Sequence, residues 1–173
     1  HLAPMFERAL WIQDAASVDD PGRMVQKYAE WFVSRGGVLV QAEVGHLLPP
    51  ARDDGSWAVH HSDGQITRTH RVVVAMGPWA PSLLQRLNVR VPMAFERGYH
   101  MNYAWAGDQK LSRPVYDTGA GCVLSPMTQG LRLTTGVELN DRDAPANPAQ
   151  LHQARQAALA AFPLGEALQN EPW

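Results

Sequence analysis

This chain has no large charge of either sign. Fifteen Lys and Arg stand against 17 Asp and Glu, a net charge of −2 over 173 residues. That balance gives no reason to expect nucleic acid or an anionic membrane as partner. Lysine itself is scarce, since 13 of the 15 basic residues are arginine. That bias reads first as genomic base composition and only weakly as anion binding. Cysteine occurs once, at Cys122, which excludes an internal disulfide framework and fits a reducing compartment. Its apolar surroundings predict a buried, inert thiol. There is no apolar run of about 18 residues, no basic–apolar leader and no lipidation motif, so the expected location is cytoplasmic or membrane-peripheral without a transmembrane segment. No internal repeat or low-complexity tract occurs. The seven histidines, His1, His46, His60, His61, His70, His100 and His152, include no His-x-x-x-His pair. Adjacent His60 and His61 would point to opposite faces of a strand, so no metal is expected. No Gly-x-Ser-x-Gly turn supports a serine nucleophile.

What remains is enough chain for one core or two small ones. Glu7 to Asp14 alternates weakly and is a candidate strand. Asp19 or Asp20 can cap a helix with Pro21 in its first turn, and Met24, Val25, Tyr28, Trp31 and Phe32 then recur at helical spacing. Gly36 and Gly37 stop it. Val38 to Val44 is β-branched and reads as a strand. Trp57–His61 and Gln65–Ala75 flank Ser62-Asp63-Gly64, a hairpin signal. Within the second arm, the Val72–Ala75 run ends at Gly77, and a helix follows with Pro78 near its first turn and Trp79, Leu83, Leu84 and Leu87 on one face. A strand, a glycine and a helix start let a ligand approach bare backbone, although many α/β units carry this pattern with no ligand.

After Asn88 the character changes. Val91–Trp105, Val115–Asp117, Cys122–Pro126 and Leu131–Leu139 are strand-like runs separated by glycine turns. They predict an antiparallel sheet with one face covered. Asn147-Pro148 opens a last helix with Leu151, Ala154, Ala158, Ala161 and Phe162 on one face, and Pro163 ends it. No strand is expected beyond it. The shift places a domain boundary near residue 89, giving 1–89 and 90–173.

Val72-Val-Val-Ala75-x-Gly77-Pro-Trp79, an amphipathic helix, then Val91-Pro-x-x-x-Glu96-Arg97-Gly98-Tyr99-His100 resembles the middle of FAD-dependent D-amino-acid oxidases and dehydrogenases, the glycine oxidase and sarcosine oxidase group. Pro126-x-x-x-Gly130-x-Arg132-x-x-x-Gly136-x-Glu138 is similar to that family's later hairpin, and Asp20-Pro21-Gly22 with Gly36-Gly37 to its preceding segment. The likeness runs from about residue 10 to 163. It implies an α+β fold: a mixed, largely antiparallel sheet of a substrate domain plus part of an FAD-binding α/β domain. It places Val44 where backbone reaches the adenine end of FAD, and Ala75, Met76, Gly77 and Trp79 near the cofactor's middle and ring. Val44 and Trp79 are equally residues of an ordinary core. It directs Arg97, Tyr99, His100 and Tyr103 toward an amino-acid substrate. Alternation sets Arg97, Tyr99 and Tyr103 on one face and His100 on the other. An arginine fork suits a carboxylate and a tyrosine hydroxyl can add a bond, but Arg97 could equally be salt-bridged on a solvated strand. Arg132 projects opposite Leu131 and Leu133, toward a pocket or toward water. Glu138 matches a family position without an assignable role.

The family's Gly-x-Gly-x-x-Gly turn, which holds the pyrophosphate of FAD at a helix N-terminus, is missing. Gly119-Ala-Gly121 lacks the third glycine and reads as a hairpin turn. The resemblance therefore implies an internal piece of a longer oxidoreductase, and the start at His1 hints at a tag remnant or a cut. The alternative is a truncated non-catalytic module that binds a small molecule, or a subunit whose cofactor site is completed by another chain. Val72–Ala75, apolar throughout, would then present an open edge to a second copy or a partner subunit.

Overall fold

The sequence punctuates its helices clearly, and the computed structural model, which describes residues 2–50 and 55–171, follows most of those signals. The readings on His1 and on the Pro172-Trp173 end lie outside the described residues. The chain divides into two units, residues 1–28 with 96–173, and residues 29–95.

In the first unit, β4 (Glu96–Trp105), β5 (Val115–Asp117), β6 (Cys122–Met127), β7 (Gly130–Leu139) and β8 (Leu164–Ala167) form one sheet in the order β5-β6-β7-β4-β8, with every pair antiparallel. Turn chemistry sets the hairpins. Asp117 Oδ1 accepts the Gly119 and Ala120 N–H groups at 2.9 and 3.0 Å, and Gly121 takes φ +62°. The Gly119–Gly121 stretch is thus a hairpin turn, as its sequence reads. Gly130 opens β7 at φ +150°, where a Cβ would run into the Tyr103 carbonyl.

Helix α3 (Ala149–Ala161) starts where the Asn147 side chain accepts the Ala149 N–H at 3.1 Å. It buries Leu151, Ala154, Ala158 and Ala161 against one face of the sheet, with Phe162 completing the stripe. Tyr103, Cys122, Leu124, Leu131 and Leu133 come up from the strands to meet it. Period-two alternation explains which residues these are: Leu131 and Leu133 point in, so Arg132 points out. Cys122 is buried, and burial raises its thiol pKa.

Two expectations for this unit fail. Residues 7–14 form no strand; Leu10 and Ile12 are exposed and no ladder recruits them. Conversely, a strand does follow the last helix. Leu164-Gly-Glu-Ala167 has no β-branched residue, but β4 offers it an open edge, with Tyr103 opposite Ala167 and Trp105 opposite Leu164.

In the second unit, β1 (Val44–Leu48), β2 (Trp57–His61) and β3 (Ile66–Thr69) make a three-stranded antiparallel meander. Gly64 takes φ +86° in the expected 62–64 turn, and Asp63 accepts the Gln65 N–H at 3.0 Å. A 3-10 turn at Gly77–Trp79 leads into α2 (Ala80–Gln85), which buries Ala80 and Leu83. The strand expected over 38–44 begins only at Val44, and the one expected over 65–75 ends at Thr69. Residues 38–43 and 71–76 join no ladder. An all-apolar strand needs cover on both faces, and none of the described residues supplies it: Val73 is 89% exposed.

Helix α1 (Pro21–Ser34) runs through the division between the units. Asp20 caps it by accepting the Arg23 N–H at 2.8 Å, and Gly36 ends it at φ +91°. Its predicted apolar stripe is present but uncovered, with Met24, Val25, Tyr28, Trp31 and Phe32 all exposed. Among the described residues no helix is long and apolar enough to cross a membrane.

Candidate functional site

The sheet face opposite α3 gathers a polar cluster in the first unit. Arg132 on β7 sits in register with Asn102 on β4 and Ser125 on β6, so all three share that face. His100, opposite Thr134, belongs to the same face. The Arg132 Nε–H donates to Asn102 Oδ1 at 3.0 Å. Asn102 Nδ2 donates to Gln169 Oε1 at 2.8 Å. Gln169 Nε2 donates in turn to the carbonyls of His100 and Glu171, at 3.3 and 3.0 Å. The Leu168 N–H reaches the Asn102 carbonyl at 2.8 Å, which ties the segment after β8 to β4. The pKa of His100 lies below the ordinary imidazole value because partial burial and then the Arg132 charge both disfavour its protonation.

The remaining residues that the sequence points to on these strands are elsewhere. Tyr99 and Tyr103, each 3% exposed, lie on the inward side. The Tyr99 hydroxyl donates to Glu138 Oε2 at 2.5 Å and accepts the Asn147 N–H at 2.9 Å. This gives Glu138 a role: it anchors Tyr99, and that bond, with a second from Asn140, lowers its pKa. Tyr103 packs in the core under α3, where burial raises its pKa against the opposing effect of Arg155. Arg97 holds the crossover to α3 by donating to the Pro145 and Arg142 carbonyls, at 3.1 and 2.9 Å. The structure therefore brings His100 and Arg132 together and sets Arg97, Tyr99 and Tyr103 apart from them. Asn102 and Gln169 were not foreseen. Asn102 carries a faint signal, being two residues from His100 on one strand; Gln169 carries none.

In the second unit, Ala75, Met76, Gly77 and Trp79 form an open turn. The Trp79 N–H donates to the Met76 carbonyl at 3.2 Å, and Gly77 takes φ +52°. A Cβ placed on Gly77 would meet no atom within 4 Å. Trp79 is 56% exposed, so core packing does not account for it. Val44 opens β1 opposite His61 and is also exposed. This is bare, accessible backbone next to an aromatic ring, which fits one wall of a flavin site. The chain's own residues include no phosphate-cradling glycine turn. Among the described residues no cluster of three or more His, Cys, Asp or Glu could hold a metal ion.

A family model described as FAD dependent oxidoreductase (DAO) matches residues 1–173. Three solved structures share the fold at low identity. Glycine oxidase from Geobacillus kaustophilus aligns with TM-score 0.59 and 19% identity over 76% of this chain and 34% of its own. Glycine oxidase from Bacillus cereus ATCC 14579 aligns with TM-score 0.60 and 18% identity over 83% and 40%. Iminodiacetate oxidase from Chelativorans sp. BNC1 aligns with TM-score 0.58 and 19% identity over 83% and 40%. The chain thus spans two fifths or less of the length of these proteins. No curated protein sequence matches it. The match along its whole length, together with the open glycine turn and the antiparallel sheet, establishes that this chain belongs to the DAO family of FAD-dependent oxidoreductases.

Proposed function

We propose that this chain is the substrate sheet and one flavin-facing wall of an oxidoreductase that oxidises the CH–NH bond of an amino acid, D-amino acids included. In this reading residues 1–89 contribute to the cofactor side and residues 90–173 to the substrate side. The observation that carries it is Arg132. Its guanidinium stands on the sheet face opposite α3, fixed through Nε, and its terminal NH2 groups have no acceptor among the described residues. A guanidinium so placed suits a carboxylate.

FAD, when bound, supplies the hydride acceptor. The chain's residues have the positioning work. Arg132 takes the substrate carboxylate. His100 stands on the same face, where burial and then the Arg132 charge disfavour a second positive charge. No strong side-chain base is required if the amine is neutral when hydride leaves. Val44, Ala75, Met76, Gly77 and Trp79 line the cofactor; at Gly77 a side chain would both strain the backbone and fill the open space beside it.

A second reading is a non-catalytic small-molecule-binding module, or a subunit whose cofactor site another chain completes. Flavin content separates the two. Purified protein that is yellow, and that bleaches anaerobically with glycine or D-alanine, supports the oxidoreductase. Arg132→Met should then keep the colour and lose the bleaching, while Gly77→Val should lose the colour. Protein that takes up no FAD favours the module, and bleaching unchanged by Arg132→Met removes the carboxylate assignment. Pairing of a second copy or a partner subunit along residues 72–75 belongs to the same proposal. A monomer by light scattering at high concentration counts against it.

A further inference from the structure

Three groups in a row on the substrate-side face form a hydrogen-bond chain whose direction is fixed at both ends. Arginine can only donate, so Asn102 must turn its oxygen to the Arg132 Nε. Its amide nitrogen is then left to donate to Gln169, which must present its own oxygen. The Gln169 nitrogen is left to meet the His100 and Glu171 carbonyls, which can only accept. Neither amide can flip without setting two donors or two acceptors face to face. The chain therefore runs from the guanidinium to the backbone of β4 and of the segment after β8, with no ambiguity of sense.

This has a consequence for how Arg132 can bind. A guanidinium grips a carboxylate either side-on, through Nε and one terminal nitrogen, or end-on, through both terminal nitrogens. With Nε engaged by Asn102, the side-on mode is closed. We propose that Asn102 and Gln169 are positioning residues that fix Arg132 to receive a single carboxylate end-on. The substrate class that follows is a small amino acid whose carboxylate enters along the axis of the guanidinium. The inference rests on the reading of Arg132 as a carboxylate anchor, and adds to it the two residues and the binding mode.

The test uses the chain labelled with 15N at arginine, and acetate as the probe. In the unsubstituted protein the Arg132 Nε–H should exchange slowly with solvent, and acetate should shift the terminal NH2 signals while leaving Nε in place. Asn102→Ala should speed that exchange and weaken acetate binding on the order of tenfold, the usual scale for a lost bond to a charged group. Gln169→Ala should do the same more weakly. Asn102→Asp keeps the shape and the acceptor, so it controls for misfolding. It should retain the slow Nε–H yet bind acetate worst, because its own carboxylate neutralises the guanidinium. If Asn102→Ala leaves both exchange and acetate affinity unchanged while Arg132→Met abolishes binding, the positioning chain is wrong and the anchor stands. If Arg132→Met binds acetate as the unsubstituted protein does, the anchor falls, and the inference with it.

Discussion

Leu133→Ala tests the foundation of the substrate-side sheet. Leu133 is 0% exposed and sits opposite Leu124 on β6 and Met101 on β4, beneath α3. The substitution removes three carbons. At about 0.8 kcal/mol per buried methylene the transfer loss alone is about 2.4 kcal/mol. The cavity left under α3 cannot close without moving β7, so the total should reach about 3–4 kcal/mol, inside the usual range for Leu→Ala in a core. The control is Leu139→Ala at the far end of the same strand, where the side chain is 71% exposed; its effect should stay within about 0.5 kcal/mol. Urea unfolding followed by far-UV circular dichroism measures both, and the slope against urea should not change. A loss below about 1 kcal/mol at Leu133, or equal losses at the two leucines, would refute the account of the α3–sheet core. Because β7 also carries Arg132, a destabilised Leu133→Ala protein should bind acetate less tightly as well.

Two further outcomes are expected. His100 has a folded-state pKa below its ordinary value of 6.5, so the unfolded chain takes up the proton first. Its contribution to stability is complete above about pH 6.5 and is lost as pH falls through that value toward the folded-state pKa. His100→Gln should flatten that part of the stability–pH curve, and an unchanged curve would show that burial and Arg132 do not depress the His100 pKa. Arg97→Ala removes two bonds to the crossover carbonyls of Pro145 and Arg142. Limited proteolysis should then cut between residues 139 and 148 faster than in the parent chain, and equal cutting rates would mean that Arg97 does not hold this loop.

Strands β5, β6 and β7 were legible almost to the residue because each combines period-two alternation with a turn that only certain residues make. Helix α3 was legible because its alanines recur at helical spacing and Asn147 marks its start. Helix α1 was legible too, although its apolar face finds no cover. The failures have one cause. Residues 7–14, 38–43 and 72–75 have strand-like composition but no pairing partner, and a ladder takes two strands. The β8 strand is the converse, with poor strand composition recruited by an open edge.

The same division runs through the candidate site. Sequence alone fixed the glycine turn at Met76–Trp79, the outward projection of Arg132 between two leucines, and the resemblance that named FAD. These are local properties, set by backbone chemistry and by alternation. Only the tertiary structure decided that Tyr99 and Tyr103 turn inward, that Arg97 is committed to a loop, and that Asn102 and Gln169 stand behind Arg132. Those facts depend on which strand lies beside which and in what register. Cross-strand register is a property of the assembled sheet, and the closing partner, Gln169, is 37 residues further along the chain than the arginine it helps to fix.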